Sequence, residues 1–215
     1  MKPLVPADAE PDLQTVPFTK TVLPRSRPRL TVHRVSLSVY AVMAVLLGVL
    51  VSFVSRYPFH PLVQRTLSNS GWVDGWYHFD AAWYYGISQY GYSYIPGQQS
   101  SIAFFPTYPL TLSGFGWLFG NHQVTGVLLS ITCGLLSVVL FSSWVRSRLT
   151  RNAAITTVLL LLLYPYAFFL YGAMYADSMF LLTAIGAFML LERRHFWWAG
   201  LVGALATAGR SVGVA

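Results

Sequence analysis

The sequence predicts an all-α polytopic membrane protein with about five transmembrane helices. Three observations predict it. Hydrophobic residues make up 55% of the chain, charged residues only 10%, and mean hydropathy is +0.53. Soluble domains carry roughly a quarter charged residues. Several uncharged runs approach or exceed the length a bilayer crossing needs, about 20 apolar residues. The net charge of +7 is gathered in short clusters beside those runs, a pattern that signals topology rather than nucleic-acid binding. A nucleic-acid protein would spread Lys and Arg over a soluble face. The lone Cys133 lies in an apolar run, so no intrachain disulfide can form.

Residues 1–34 hold six prolines and six Lys/Arg and show no apolar periodicity. They read as a disordered basic tail on the cytoplasmic side. No cleavable signal peptide is expected, because the first apolar run is longer than a signal-peptide core. Residues 35–215 read as one membrane-embedded domain. Its first span is 36–54, followed by a long aromatic loop over 55–103. Further spans are expected over 124–144, 153–170, 174–191 and from 196 onward.

Residues 104–120 are apolar and uncharged but include Pro106, Pro109, Gly114, Gly116 and Gly120. Charge counting decides whether they cross. If they do not, 11 Lys/Arg fall on the inside and three (Arg56, Arg65 and Arg210) on the outside. If they do, the split is seven and seven. The cytoplasmic-positive bias selects the first arrangement. This segment is therefore expected to lie along the outer membrane surface as an interfacial helix. Asp80, Asp177 and Arg210 then share the outer, non-cytoplasmic end of the bundle.

The sharpest signal is Trp76-Tyr77-His78-Phe79-Asp80-Ala81-Ala82-Trp83-Tyr84-Tyr85. No Asp, Glu, Lys or Arg occurs between Asp80 and Arg146. An acid kept among rings beside a bilayer is costly, and so is a functional candidate. Trp76, Phe79, Trp83, Ile87 and Tyr90 recur at spacings of three and four, predicting one helix face at headgroup level. Asp80 lies off that stripe, toward a cavity between loop and spans.

Four motifs in order resemble the PIG-V family. They are Phe79-Asp80-Ala81-x-Trp83-Tyr84-x-x-Ile87-x-x-x-Gly91-Tyr92, then Phe104-Phe105-Pro106-x-Tyr108-Pro109-Leu110, then Pro165 through Phe169 with Tyr175-Ala176-Asp177 and Phe180. The last, Arg210-Ser211-Val212-Gly213, looks like the family's Arg-Ser-Asn-Gly. The family comprises polytopic mannosyltransferases, including the enzyme that adds the second mannose of the glycosylphosphatidylinositol anchor, and bacterial relatives. The resemblance runs from about residue 70 to 215. Asp177 stands where the family more often has Glu, and Val212 stands where it has Asn. Family members are roughly twice as long, so this chain reads as the N-terminal part of a longer enzyme, with a missing C-terminal half or a partner subunit expected.

The resemblance implies a GT-C-like helical bundle and an inverting glycosyltransferase. It implies a multi-pass protein of the bacterial plasma membrane or the ER membrane. The donor is a polyprenyl-phosphate sugar and the acceptor a lipid or glycan outside the cytoplasm. It implies Asp80 as base and Asp177 as a second acid. An inverting transfer needs such a base to take the acceptor proton. The leaving lipid phosphate wants an arginine, and Arg210 is the candidate.

Each residue also has a structural reading. Asp80 suits an N-cap or turn, Asp177 a first-turn acid complementing a helix dipole, and Arg210 a snorkelling interface residue. Trp83 and Tyr84 suit stacking on sugar rings, but such residues also line any membrane interface. His78 is placed to touch acceptor, or a metal together with Asp80. Asp74, in Gly-Trp-Val-Asp-Gly, suits a turn. His60, His122 and His195 lack metal-ligand spacing, and no cofactor is implied. No Gly-rich nucleotide fingerprint appears. The rival function is non-catalytic: an inactive membrane protein that binds lipid-linked sugar or a partner subunit. A transporter is a weaker third reading, since no span carries a mid-membrane charge.

Overall fold

The computed structural model describes residues 29–55 and 71–210. Among them every regular element is helical. In order they are α1 (Arg29–Val54), α2 (Gly71–Asp74), α3 (Ala81–Tyr90), α4 (Thr107–Phe119), α5 (His122–Arg146), α6 (Arg151–Leu163), α7 (Asp177–Glu192) and α8 (Phe196–Thr207). Short 3-10 segments lie at Ser101–Ala103 and Pro165–Tyr171. The tail expected over 1–34 falls outside the described residues up to residue 28. From Arg29 onward the chain is already helical, because backbone hydrogen bonding carries a helix past the end of its apolar run.

Length and composition qualify two helices to cross a membrane, Thr31–Val54 and His122–Arg146. A third crossing arises if Arg151–Leu163 and Pro165–Tyr171 count as one broken span, bent by 82°. The span expected over 153–170 is thus broken, not one continuous helix. Pro165 lacks an N–H and disfavours helical backbone in the residue before it. Tyr164 accordingly turns extended, at φ −62 and ψ 134. α7, with 16 residues, and α8, with 12, stand where the fourth and fifth spans were expected. Both are shorter than the roughly 20 residues of a straight crossing.

α5 is the central helix, touching α1, α3, α4, α6 and α7. Asn121 starts it as an N-cap, its side chain accepting from the Gln123 and Val124 amides at 3.1 and 3.0 Å. Such a cap satisfies amide groups that a helix start leaves unpaired. The Tyr40 hydroxyl of α1 reaches the Ile131 and Leu170 carbonyls at 2.8 Å each, tying three elements together. Gly134 permits this junction: a Cβ there would run into the Leu170 carbonyl, which is backbone and has no room to yield. α7 packs most extensively on α8 and then on α5.

α4 occupies the ambiguous 104–120 segment. Its prolines fall at the start, where helices accept them, and Gly120 ends it in left-handed backbone at φ 71. The aromatic stripe over 76–90 does not form one helix face. Phe79 adopts φ 52, so the helix begins only at Ala81. Trp76 and Ile87 are buried, whereas Phe79 and Tyr90 are exposed.

Candidate functional site

The loop before α3 is anchored by Trp76, which is buried against Gly172. Gly172 has φ +142, and a Cβ there would lie 3.1 Å from the Trp76 ring. After this anchor the chain turns sharply at Phe79. A bulky residue in left-handed backbone is an outlier, a strain of about 1–3 kcal/mol that surrounding contacts must hold. Those contacts come from the Ala81 amide, which donates to the His78 carbonyl at 3.1 Å, and from Tyr175. The Asp80 amide donates to the Tyr175 hydroxyl at 3.1 Å, and that hydroxyl donates to the His78 carbonyl at 3.2 Å.

Asp80 therefore has its main chain fully engaged. Its carbonyl accepts from the Trp83 and Tyr84 amides at 3.0 and 3.2 Å. It stands at the N-cap position of α3 in helical backbone, and its side chain makes no capping bond. The carboxylate is exposed, with no hydrogen bond or ion pair to any described residue. The N-cap reading of this side chain is thus not what the fold uses.

Asp177 opens α7 and pairs with Arg210, just beyond α8. The Asp177 side chain is 25% exposed and that of Arg210 40%. Thr107 at the start of α4 holds the end of α8 in place. Its amide donates to the Ala208 carbonyl and its hydroxyl to the Leu205 carbonyl, both at 3.0 Å. Arg210 thus approaches Asp177 from a pinned helix end.

Between the two acids lies a cluster of rings. Tyr84 packs edge-on to Phe104 (5.2 Å), Tyr108 (5.1 Å) and Tyr175 (6.1 Å), and Trp83 stacks on Phe104 at 5.7 Å. The Tyr84 hydroxyl is pushed up to about 12, first by burial and then by the Asp177 charge, with Arg210 opposing and Asp80 adding a smaller push. So Tyr84 feels Asp177, Arg210 and Asp80 at once. At neutral pH it is a proton donor and not a base.

The structure brings Asp80, Asp177, Arg210, Trp83 and Tyr84 to one end of the bundle. Trp83 and Tyr84 are half-buried members of the packing rather than an open platform. His78 is exposed and contributes its backbone carbonyl; its ring lies 6.3 Å from that of Phe79. Among the described residues no group of three or more His, Cys, Asp or Glu is placed to hold a metal ion. Asp74 closes a turn through its carbonyl, which accepts from the Tyr77 amide at 3.1 Å. Arg210 was expected to meet phosphate; here its partner is Asp177. Tyr175 was overlooked as a site residue, although it stands two places before Asp177 in the same motif.

Fold and site define a helical integral membrane protein with two acids and an arginine gathered beside aromatic rings. The chain is 31% identical over 160 residues to GPI alpha-1,6-mannosyltransferase 2 of Cricetulus griseus. The aligned stretch covers 67% of this chain and 30% of that protein, so the chain spans less than a third of the curated relative it matches. The likeness supports a GPI-mannosyltransferase-like relationship. No protein-family model matches the chain, and no solved structure does.

Proposed function

We propose that this protein is the site-bearing part of an inverting, GT-C-type membrane mannosyltransferase. It transfers mannose from a polyprenyl-phosphate donor to a lipid or glycan acceptor on the non-cytoplasmic side. The acceptor hydroxyl oxygen attacks the sugar's anomeric carbon as the bond from that carbon to the phosphate oxygen breaks. Asp80 takes the acceptor proton, and polyprenyl phosphate leaves with the bonding electron pair. Arg210, aimed by Asp177, meets the charge that grows on the phosphate, the kind of bond that strengthens in the transition state. Tyr84 offers a neutral hydroxyl between them.

The observation that carries this reading is the Asp80 carboxylate, which has no partner among the described residues and is held on a fixed main chain beside an Asp177–Arg210 pair. The motif resemblance and the mannosyltransferase match agree with it. The cytoplasmic-positive charge count supports placing this end outside.

Membranes containing the protein, together with any C-terminal half encoded beside it, test the donor. Polyprenyl-phosphate-linked radiolabelled mannose is expected to label an extractable lipid or glycan acceptor. Label arriving from GDP-mannose while polyprenyl-phosphate mannose synthesis is blocked would overturn the donor assignment. No transfer from either donor, with both halves present, would favour the non-catalytic binding reading.

A further inference from the structure

We infer that Tyr175 is a positioning residue for Asp80: its hydroxyl holds the turn that sets where the Asp80 carboxylate stands relative to Asp177. The inference rests on the reading of Asp80 as base and adds a residue to that same site. Tyr175 is 95 residues from Asp80 in sequence, yet its hydroxyl makes two bonds to the turn. It accepts from the Asp80 amide at 3.1 Å and donates to the His78 carbonyl at 3.2 Å. With the local bond from the Ala81 amide to the His78 carbonyl at 3.1 Å, the two bonds bracket Phe79, whose φ of 52 is otherwise disfavoured.

The Phe79 side chain is 90% exposed, so no packing of its own keeps the turn in this shape. The Tyr175 ring, by contrast, is fixed between Phe169 at 4.9 Å and Tyr84 at 6.1 Å. Only Ala176 separates Tyr175 from Asp177. One hydroxyl thus links the outer loop to the helix start that carries the second acid. Release of that link lets the base drift, and a misplacement of about 1 Å can cost on the order of 10²-fold in rate.

Both bonds use the main chain of residues 78 and 80, so a side-chain change at 80 leaves the clamp intact. The test compares the parent, Tyr175→Phe and Asp80→Asn by hydrogen exchange in nanodiscs and by transfer kinetics in the protein with any C-terminal half. Tyr175→Phe keeps the ring and its packing. It is expected to speed amide exchange over residues 78–82 by up to about tenfold, the scale of one lost hydrogen bond. Turnover should fall by roughly tenfold while the KM for polyprenyl-phosphate mannose stays put. Adding Phe79→Asn, a residue that tolerates left-handed backbone, should recover part of both losses.

Unchanged exchange over 78–82 in Tyr175→Phe would overturn the clamp. Faster exchange with full turnover, while Asp80→Asn is inactive, would overturn positioning but leave the base reading standing. Full turnover in Asp80→Asn would instead remove the base reading, and the positioning role with it.

Discussion

Helix α7 carries a carboxylate at each end, and each meets an arginine from another part of the chain. At the C-terminal end Glu192 pairs with Arg148, beyond the end of α5. The Trp144 indole N–H also donates to Glu192 at 3.1 Å, and the Arg148 guanidinium lies 4.5 Å above the Trp144 ring. At the N-terminal end Asp177 pairs with Arg210, is less exposed than Glu192, and borders half-buried rings. The C-terminal pair closes on itself: charge, indole and cation–π contact satisfy one another, and the arginine offsets an acid placed at the unfavourable end of a helix dipole. The N-terminal pair has a neighbour, Asp80, whose carboxylate meets no partner among the described residues. Two ion pairs on one helix therefore differ in the company they keep, and only the N-terminal one adjoins the proposed base.

That contrast can be broken by substitution, most severely at Asp80. Asp80→Asn is expected to lower transfer by about 10²–10⁴-fold, the range of general base catalysis, with protein level in the membrane unchanged. Initial rates with labelled polyprenyl-phosphate mannose check this. Next comes Arg210→Ala, expected to cost about 10²-fold in turnover, as loss of one preorganised transition-state donor does. A large rise in donor KM with turnover intact would instead make Arg210 a binding residue. Gly134→Ala acts away from both ends. Its Cβ would press on the Leu170 carbonyl, so a stability loss of about 1–3 kcal/mol is expected, read as a fall in the thermal midpoint in detergent. At the opposite end Glu192→Gln should leave transfer unchanged, because exposed ion pairs contribute little. A strong loss there would erase the distinction between the two ends.

The long uncharged runs made α1 and α5 legible, since burial in lipid demands that composition. The break at Pro165 was written in the sequence too, but hydropathy averaging hides a single proline. The stripe over 76–90 misled for a similar reason: periodicity is blind to one residue, Phe79, that turns the backbone left-handed. In the site, Asp80, Asp177 and Arg210 stood out because acids and arginines are rare beside apolar runs. All three converge near Tyr84. The Asp177–Arg210 pair was not legible, because it joins residues 33 positions apart through helix phase and the Thr107 contacts. Nor was the Tyr175 clamp, which depends on where a hydroxyl lands after the chain has packed.

We propose that Asp80 faces the non-cytoplasmic side and that Glu192, at the far end of α7, faces the cytoplasm. Single-cysteine proteins Asp80→Cys and Glu192→Cys, each in a Cys133→Ala background, can be labelled in intact cells with a membrane-impermeant maleimide. Labelling is expected at 80 from outside the cytoplasm, and at 192 only after the membrane is opened. Position 80 protected until the membrane is opened, while 192 labels from outside, would contradict it.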